Sequence, residues 1–262
     1  MANLKKLVAV DIRPGEWARL LPLVLAYALL MASLYVLKPA RNALFLDQMG
    51  AAQLPYVLLL VALVGGLAAG LFSRVSRLAR LNLLIPGTFV VLIACLLVFW
   101  LLLPYGWTWG VYSFYIFVNL YGLMSTSLLW LLANSAFNPR EARRLFGLVG
   151  TGGIAGAIIG SFFTSWIVSR VGTENLVLIC AGMLGACLLL LRLVRSSGGV
   201  EGKQEQGGGQ SPLELIAASD LLRLLGGMAA LAAVVAAVAD VQFNAIVEKV
   251  YTDKDAKTAF FG

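Results

Sequence analysis

The chain has 262 residues, of which 60% are hydrophobic and only 13% charged, against roughly 25% charged in soluble domains. That composition excludes a water-soluble globular domain and points to an all-α polytopic membrane protein. The formal charge is +7, but the basic residues gather in particular loops, which is an orientation signal rather than a nucleic-acid footprint.

The chain contains no histidine, which removes the commonest general base and metal ligand. Lys5, Lys6, Asp11, Arg13 and Glu16 precede the first long apolar run. A cleaved signal peptide would have a shorter apolar region and a small-residue cleavage site, so the first span is expected to be retained. That span covers about Trp17 to Leu46, with Arg19 near its start.

From Leu20 to Leu46 the only charges are Lys38 and Arg41, within Leu-Tyr-Val-Leu-Lys-Pro-Ala-Arg-Asn-Ala-Leu-Phe-Leu (34–46). The run is longer than the ~20 residues that cross a bilayer core. Three apart, the two cations share a helix face. A cation inside a span costs roughly 2.5–3.5 kcal/mol on insertion scales and usually meets water or a partner, which makes an anion site one reading. In the other, the span ends near Leu37 at Pro39 and both side chains snorkel to the interface.

A polar turn (47–53) leads to span two, about Leu54 to Phe72, and then to Arg74, Arg77 and Arg80. These three resemble the basic loop between helices two and three of the major facilitator superfamily without its Asp, and topology determination suffices to explain them. Span three is about Leu81 to Leu103. The uncharged, aromatic connection Pro104 to Trp109 reads as an interfacial belt. Span four, about Gly110 to Asn134, carries Asn119, Ser125, Thr126 and Ser127, with Asn119 and Thr126 seven apart on one face. Such groups most often hydrogen-bond between helices.

Arg140, Glu141, Arg143 and Arg144 precede span five, about Leu145 to Ser169. Its Gly150-Thr-Gly-Gly-Ile-Ala-Gly156 stretch has dinucleotide-like spacing, but no strand precedes it and no acid follows. Gly152, Gly156 and Gly160 form instead a small-residue stripe for close helix packing. Span six is about Asn175 to Leu193. The three cysteines, Cys95, Cys180 and Cys187, all lie within spans and read as buried free thiols, not a disulfide framework or a metal site.

Residues 196–213 are rich in Gly, Ser, Gln and Glu and read as a flexible cytoplasmic linker. Span seven, about Leu221 to Val247, holds Asp240, the only acid between Asp220 and Glu248, with Gln242 and Asn244 nearby. A lone carboxylate in a span is expensive unless paired, protonated or wet. It serves either as an ion-pair or coupling group in a central cavity or as a structural pair between helices. Ala259 to Gly262 looks like the start of another apolar segment.

The basic segments are the N-terminus, 73–80, 138–144 and 192–203, which are alternate connections, so the N-terminus and linker are expected in the cytoplasm. Six helices (1–195), a linker (196–213) and the start of a second bundle (214–262) suggest a major facilitator-like bundle cut short after about seven transmembrane helices. In such folds two halves enclose a substrate between them.

Three patches together resemble the ATP/ADP translocase family of bacteria and plastids. They are Tyr-Val-Leu-Lys-Pro-Ala-Arg-Asn-Ala-Leu-Phe-Leu (35–46), Leu-Trp-Leu-Leu-Ala-Asn-Ser (129–135) running into Glu-Ala-Arg-Arg-Leu-Phe-Gly (141–147), and Ala-Asp-Val-Gln-Phe-Asn (239–244). The resemblance implies twelve helices in a major facilitator-like fold and exchange of ATP for ADP or carriage of other nucleotides. By motif position the family's first-helix lysine falls on Arg41 and its seventh-helix glutamate on Asp240. Its fourth-helix acid falls near Asn119, which carries no charge.

The expected function is therefore nucleotide exchange by alternating access, with Lys38, Arg41, Asn42, Asn119, Thr126 and Asp240 as substrate-binding residues. The expected partners are a nucleotide or another anionic small molecule and the lipid bilayer, with no nucleic acid and no cofactor, in a monomer. The expected place is a bacterial inner (plasma) membrane, crossed several times. Two alternatives stay open: a transporter of another solute, proton-coupled through Asp240, and a non-transporting membrane protein. No catalytic constellation supports an enzyme.

Overall fold

The computed structural model describes residues 16–78, 81–196 and 219–262. The basic N-terminal residues Lys5 and Lys6, Arg80 and nearly all of the expected linker lie outside the described residues. Among the described residues the chain is all-helical: α1 (Trp17–Met49), α2 (Leu54–Leu78), α3 (Leu81–Leu102), α4 (Thr108–Ala136), α5 (Pro139–Val171), α6 (Leu176–Ser196), α7 (Asp220–Val250) and α8 (Lys254–Phe261). Six of these, α1 to α5 and α7, are long and apolar enough to cross a bilayer, which makes the chain an α-helical polytopic membrane protein. The expectation was about seven. The one that falls short is α6, whose apolar stretch is the shorter Leu176–Arg192.

The bundle is organised around α1. It runs unbroken through Pro22 and Pro39 and buries a residue in nearly every turn, from Leu20 to Leu46. It packs against α4, α5, α6 and α8, and more lightly against α7. The closest approach is to α5, and its cause is local. A Cβ on Gly156 would overlap the Ala28 carbonyl, one on Gly160 would overlap Ala32, and one on Gly152 would strike Val24. The expected small-residue stripe is therefore the seat of α1, and Ala28 and Ala32 answer it from the other side. No other described glycine faces the backbone of a second helix this closely.

Short connections reverse the chain between successive helices from α1 to α6 and again between α7 and α8, so helix ends collect at two levels. At the first level, the Glu16 carboxylate accepts from Arg144 Nη2 at 2.8 Å, and Arg19 Nη1 donates to the Ala136 carbonyl at 3.3 Å. The second level is bonded more heavily. Glu248 Oε2 accepts from the Ala51 N–H at 2.8 Å, joining the last turn of α7 to the start of α2. Thr173 donates from its N–H and its hydroxyl to Asp255 Oδ1, at 3.0 and 2.7 Å. Its hydroxyl also lies 2.8 Å from that of Thr258. Lys254 pairs with Glu174 at 2.8 Å, and Lys257 lies 3.8 Å from Asp47. Residues 259–261, expected to open another apolar segment, belong to α8, which packs on α1 and α5.

Burial alone would lower the Lys254 pKa, but its hydrogen bond to Glu174 and the nearby carboxylates outweigh that and raise it above the ordinary 10.5. The stabilisation from this pair is present below 10.5 and is lost as pH rises through the raised value.

The free-thiol expectation for the cysteines needs one correction. Cys180 and Cys187 are buried, their thiols directed at the Ser33 and Ala26 carbonyls of α1, but Cys95 is only partly buried.

Gly156→Val should lower the thermal stability of the detergent-purified protein by at least the ~1–3 kcal/mol typical of overpacking. Gly182→Ala, where an added Cβ meets nothing within 4 Å, should not lower it. Asp255→Ala strands the Thr173 N–H and leaves its hydroxyl with Thr258 alone, a loss of about 1–3 kcal/mol. Hydrogen exchange should then speed up across residues 254–261 while the middle of α1 stays protected.

Candidate functional site

The two cations of α1 open onto a cleft between α1 and α4. Its volume is about 410 Å³, and its walls include Leu34, Lys38 and Arg41 from α1 and Asn119, Gly122, Thr126 and Ser127 from α4. The helical spacings explain the gathering. Lys38 and Arg41 are three apart, and Asn119 and Thr126 seven apart, so each pair lines one face. Counting 1.5 Å per residue, Lys38, Asn119 and Asp240 all lie about 15–17 Å in from the second level of helix ends. That is near the middle of a hydrocarbon core of about 30 Å.

The helix continues past Leu37 and Pro39 to Met49, and Arg41 is only 8% exposed. Its guanidinium lies over the ring of Tyr115, 4.2 Å from the centroid. Its Nε and Nη2 donate to Asn42 Oδ1 at 3.0 and 2.8 Å. Lys38 is less buried, and its ammonium sits 4.7 Å from the centre of the Tyr35 ring. Both cations thus rest on aromatic faces. Among the described residues neither has a carboxylate within 4.0 Å.

Each expected site residue can now be placed. Lys38, Arg41, Asn119 and Thr126 share the cleft wall. Asn42 is buried beside it and spends its amide oxygen on Arg41, so it holds a cation instead of lining the cleft. Asn119 is anchored by Nδ2 donation to the Tyr115 carbonyl at 2.8 Å. Asp240, on α7, is close enough for its charge to act on both Lys38 and Tyr115. It forms no ion pair within 4.0 Å among the described residues.

Below it, Asn244 donates to the Asp240 carbonyl at 2.7 Å, and its own buried amide oxygen has no partner. The structure does not seat α7 firmly against this site. From Leu221 to Val238 every large apolar residue of α7 is exposed, and only Asn244 and Val247 are buried.

No protein-family model matches the chain, and no curated protein or solved structure matches it either. The site is accordingly read from its own geometry. Residues that sequence reasoning missed are Tyr115 and Glu248. A tyrosine in an aromatic-rich span carries no signal of its own. The signal would have been its position four before Asn119, on the same face of α4. Glu248 lies at the end of its span and reads there as an ordinary flanking charge.

The arrangement suits a negatively charged ligand. Two cations without carboxylate partners among the described residues, three polar α4 side chains and a concavity of ligand size converge in one place. Among the described residues no cluster of His, Cys, Asp and Glu offers a metal site.

A buried cation held only by neutral groups is costly. Arg41→Met, which keeps the length and removes the charge, should therefore leave the fold intact and stabilise it, by at most the roughly 2.5–3.5 kcal/mol that a cation costs inside a span. A lower melting temperature would instead make Arg41 a structural residue.

Proposed function

We propose that this protein is a membrane carrier that exchanges nucleotides, in the manner of ATP/ADP antiport, by alternating access. The observation that carries the reading is the α1–α4 cleft, with Lys38 and Arg41 in its wall and, among the described residues, no carboxylate within 4.0 Å of either. Di- and triphosphates are strongly anionic, and the planar fork of an arginine matches phosphate oxygens. Asn119 and Thr126 supply neutral hydrogen bonds along the same wall. Asp240, at the same depth on α7, compensates the cations when the site is empty.

The resemblance of 35–46, 129–147 and 239–244 to the ATP/ADP translocases supports the same reading, as does the alternation of basic connections. On that reading the fold is major facilitator-like and continues into a second bundle. The membrane is a bacterial plasma membrane, with the N-terminus and the 196–213 segment in the cytoplasm.

One observation favours a second reading. Asp240 has no cation within 4.0 Å among the described residues, and a carboxylate placed so within a span is suited to take up a proton. The chain would then be a proton-coupled transporter of another anionic solute.

Uptake of radiolabelled ATP into cells expressing the full chain separates the two. Exchange predicts uptake driven by internal ADP, insensitive to an uncoupler and abolished in Arg41→Ala. Proton coupling predicts uptake that collapses with the uncoupler and in Asp240→Asn. Absence of counter-exchange with any nucleotide overturns the first reading.

A further inference from the structure

We propose that Tyr115, together with Asn42, is the positioning pair that presets Arg41 to take a phosphoryl-type oxyanion in the α1–α4 cleft. The inference rests on the anion-carrier reading and states how its fixed cation is built.

A buried guanidinium needs something to offset its lost hydration. A carboxylate would do so, but it would also cancel the charge and occupy the donors. Arg41 is served differently. The Tyr115 ring lies under its face at 4.2 Å, and a desolvated cation–π contact of this kind is worth about 2 kcal/mol. A ring quadrupole attracts the cation without neutralising it, so the positive charge stays available.

Asn42 Oδ1 takes one N–H from Nε and one from Nη2. A guanidinium has five N–H groups. The remaining three, both on Nη1 among them, have no acceptor among the described residues, and Arg41 lines the cleft. Three fixed donors on one planar group fit the oxygens of a phosphoryl group.

Tyr115 is itself immobilised. It is 1% exposed, its ring packs on Phe45 with centroids 5.0 Å apart, and its carbonyl carries Asn119. Its hydroxyl is buried with no hydrogen-bond partner among the described residues. Tyr121, six residues on, is equally buried but shares a hydrogen bond with the Ser33 hydroxyl. Tyr121 is therefore held by its hydroxyl, and Tyr115 is placed for its ring face. Neither Tyr115 nor Asn42 lines the cleft, so both act through Arg41.

The test is calorimetric titration of the purified full chain in detergent with inorganic pyrophosphate and tripolyphosphate, with adenosine as the uncharged control. Tyr115→Leu should weaken polyphosphate binding roughly 10- to 30-fold, the fold-change of one buried cation–π contact. Tyr115→Phe keeps the face and should stay within about threefold of the unmodified protein, the rescue that a purely structural role for the hydroxyl would not give. Asn42→Asp, close in size, gives Arg41 a counter-ion and should abolish binding; it carries the test if the leucine variant does not fold.

Unchanged binding in Tyr115→Leu or in Asn42→Asp overturns the proposal, as does a loss in Tyr115→Phe equal to that in Tyr115→Leu. So does a native protein that binds no polyphosphate. Nucleotide exchange that persists with unchanged affinity in Tyr115→Leu sinks the positioning pair and leaves the carrier reading standing. Polyphosphate binding with the expected variant pattern but no nucleotide exchange does the reverse.

Discussion

Burial of a positive charge among neutral groups is the constraint on which this bundle turns. Arg41 sits within a membrane span, eight residues from the end of the helix with the most neighbours, and an isolated cation there is unfavourable by several kcal/mol. Three features together make it tolerable: the Tyr115 face, the Asn42 amide and the cleft through which water or a ligand can reach it. Each depends on α1 being central. A peripheral α1 would turn Arg41 to lipid or let it swing to the headgroups. The centrality of α1 in turn depends on α5, where Gly156 and Gly160 admit the backbone at Ala28 and Ala32. A packing device on one side of α1 thus sets the electrostatics on the other.

The bonds are unevenly distributed. At the second level of helix ends, Glu248 ties α7 to the α1–α2 connection, and Asp255, Lys254 and Thr258 tie α8 to the α5–α6 turn. Away from that level α7 has almost no buried surface. Asp240 therefore sits at the inner limit of the tied part, with bonded turns on one side and an unpacked apolar helix on the other. Its distance from the cations is governed by a few polar contacts rather than by a packed core. Polar contacts of this kind contribute about 0.5–1.5 kcal/mol each, little enough that a change of ligation at the cleft competes with them.

Much of this was legible in the sequence because a bilayer reduces folding to few choices. Backbone groups must be satisfied within the segment, so composition alone announces helices, and the spans came out close to their observed limits. Lys38 with Arg41, and Asn119 with Thr126, could be assigned to faces by spacing, and those faces meet. The stripe of Gly152, Gly156 and Gly160 announced a close neighbour but not which one, because any helix with small residues at matching intervals would serve. What periodicity does not encode is who stands opposite. Tyr115 looked like one aromatic residue among many, and Asn42 looked like a ligand because it neighbours Arg41. Residues i and i+1 do not share a helix face, and Arg41 meets Asn42 only by folding its long side chain back. The docking of α8 escaped notice because eight residues of mixed polarity carry almost no period.

The contrast between Lys38 and Arg41 follows from the same physics. Lysine is a compact, strongly hydrated charge on a flexible stem, whereas arginine is planar and more weakly hydrated, so arginine is the easier of the two to bury and fix. The structure divides them accordingly. Arg41 is buried and held in place by two partners, and Lys38 lies half exposed on the cleft wall over Tyr35. Exchanging the two would put the strongly hydrated ammonium in the dry position, where one amide oxygen and one ring would satisfy too little of it. A fixed cation and an adaptable one, three residues apart on one helix, can engage a charged group at one point and follow its shape at another.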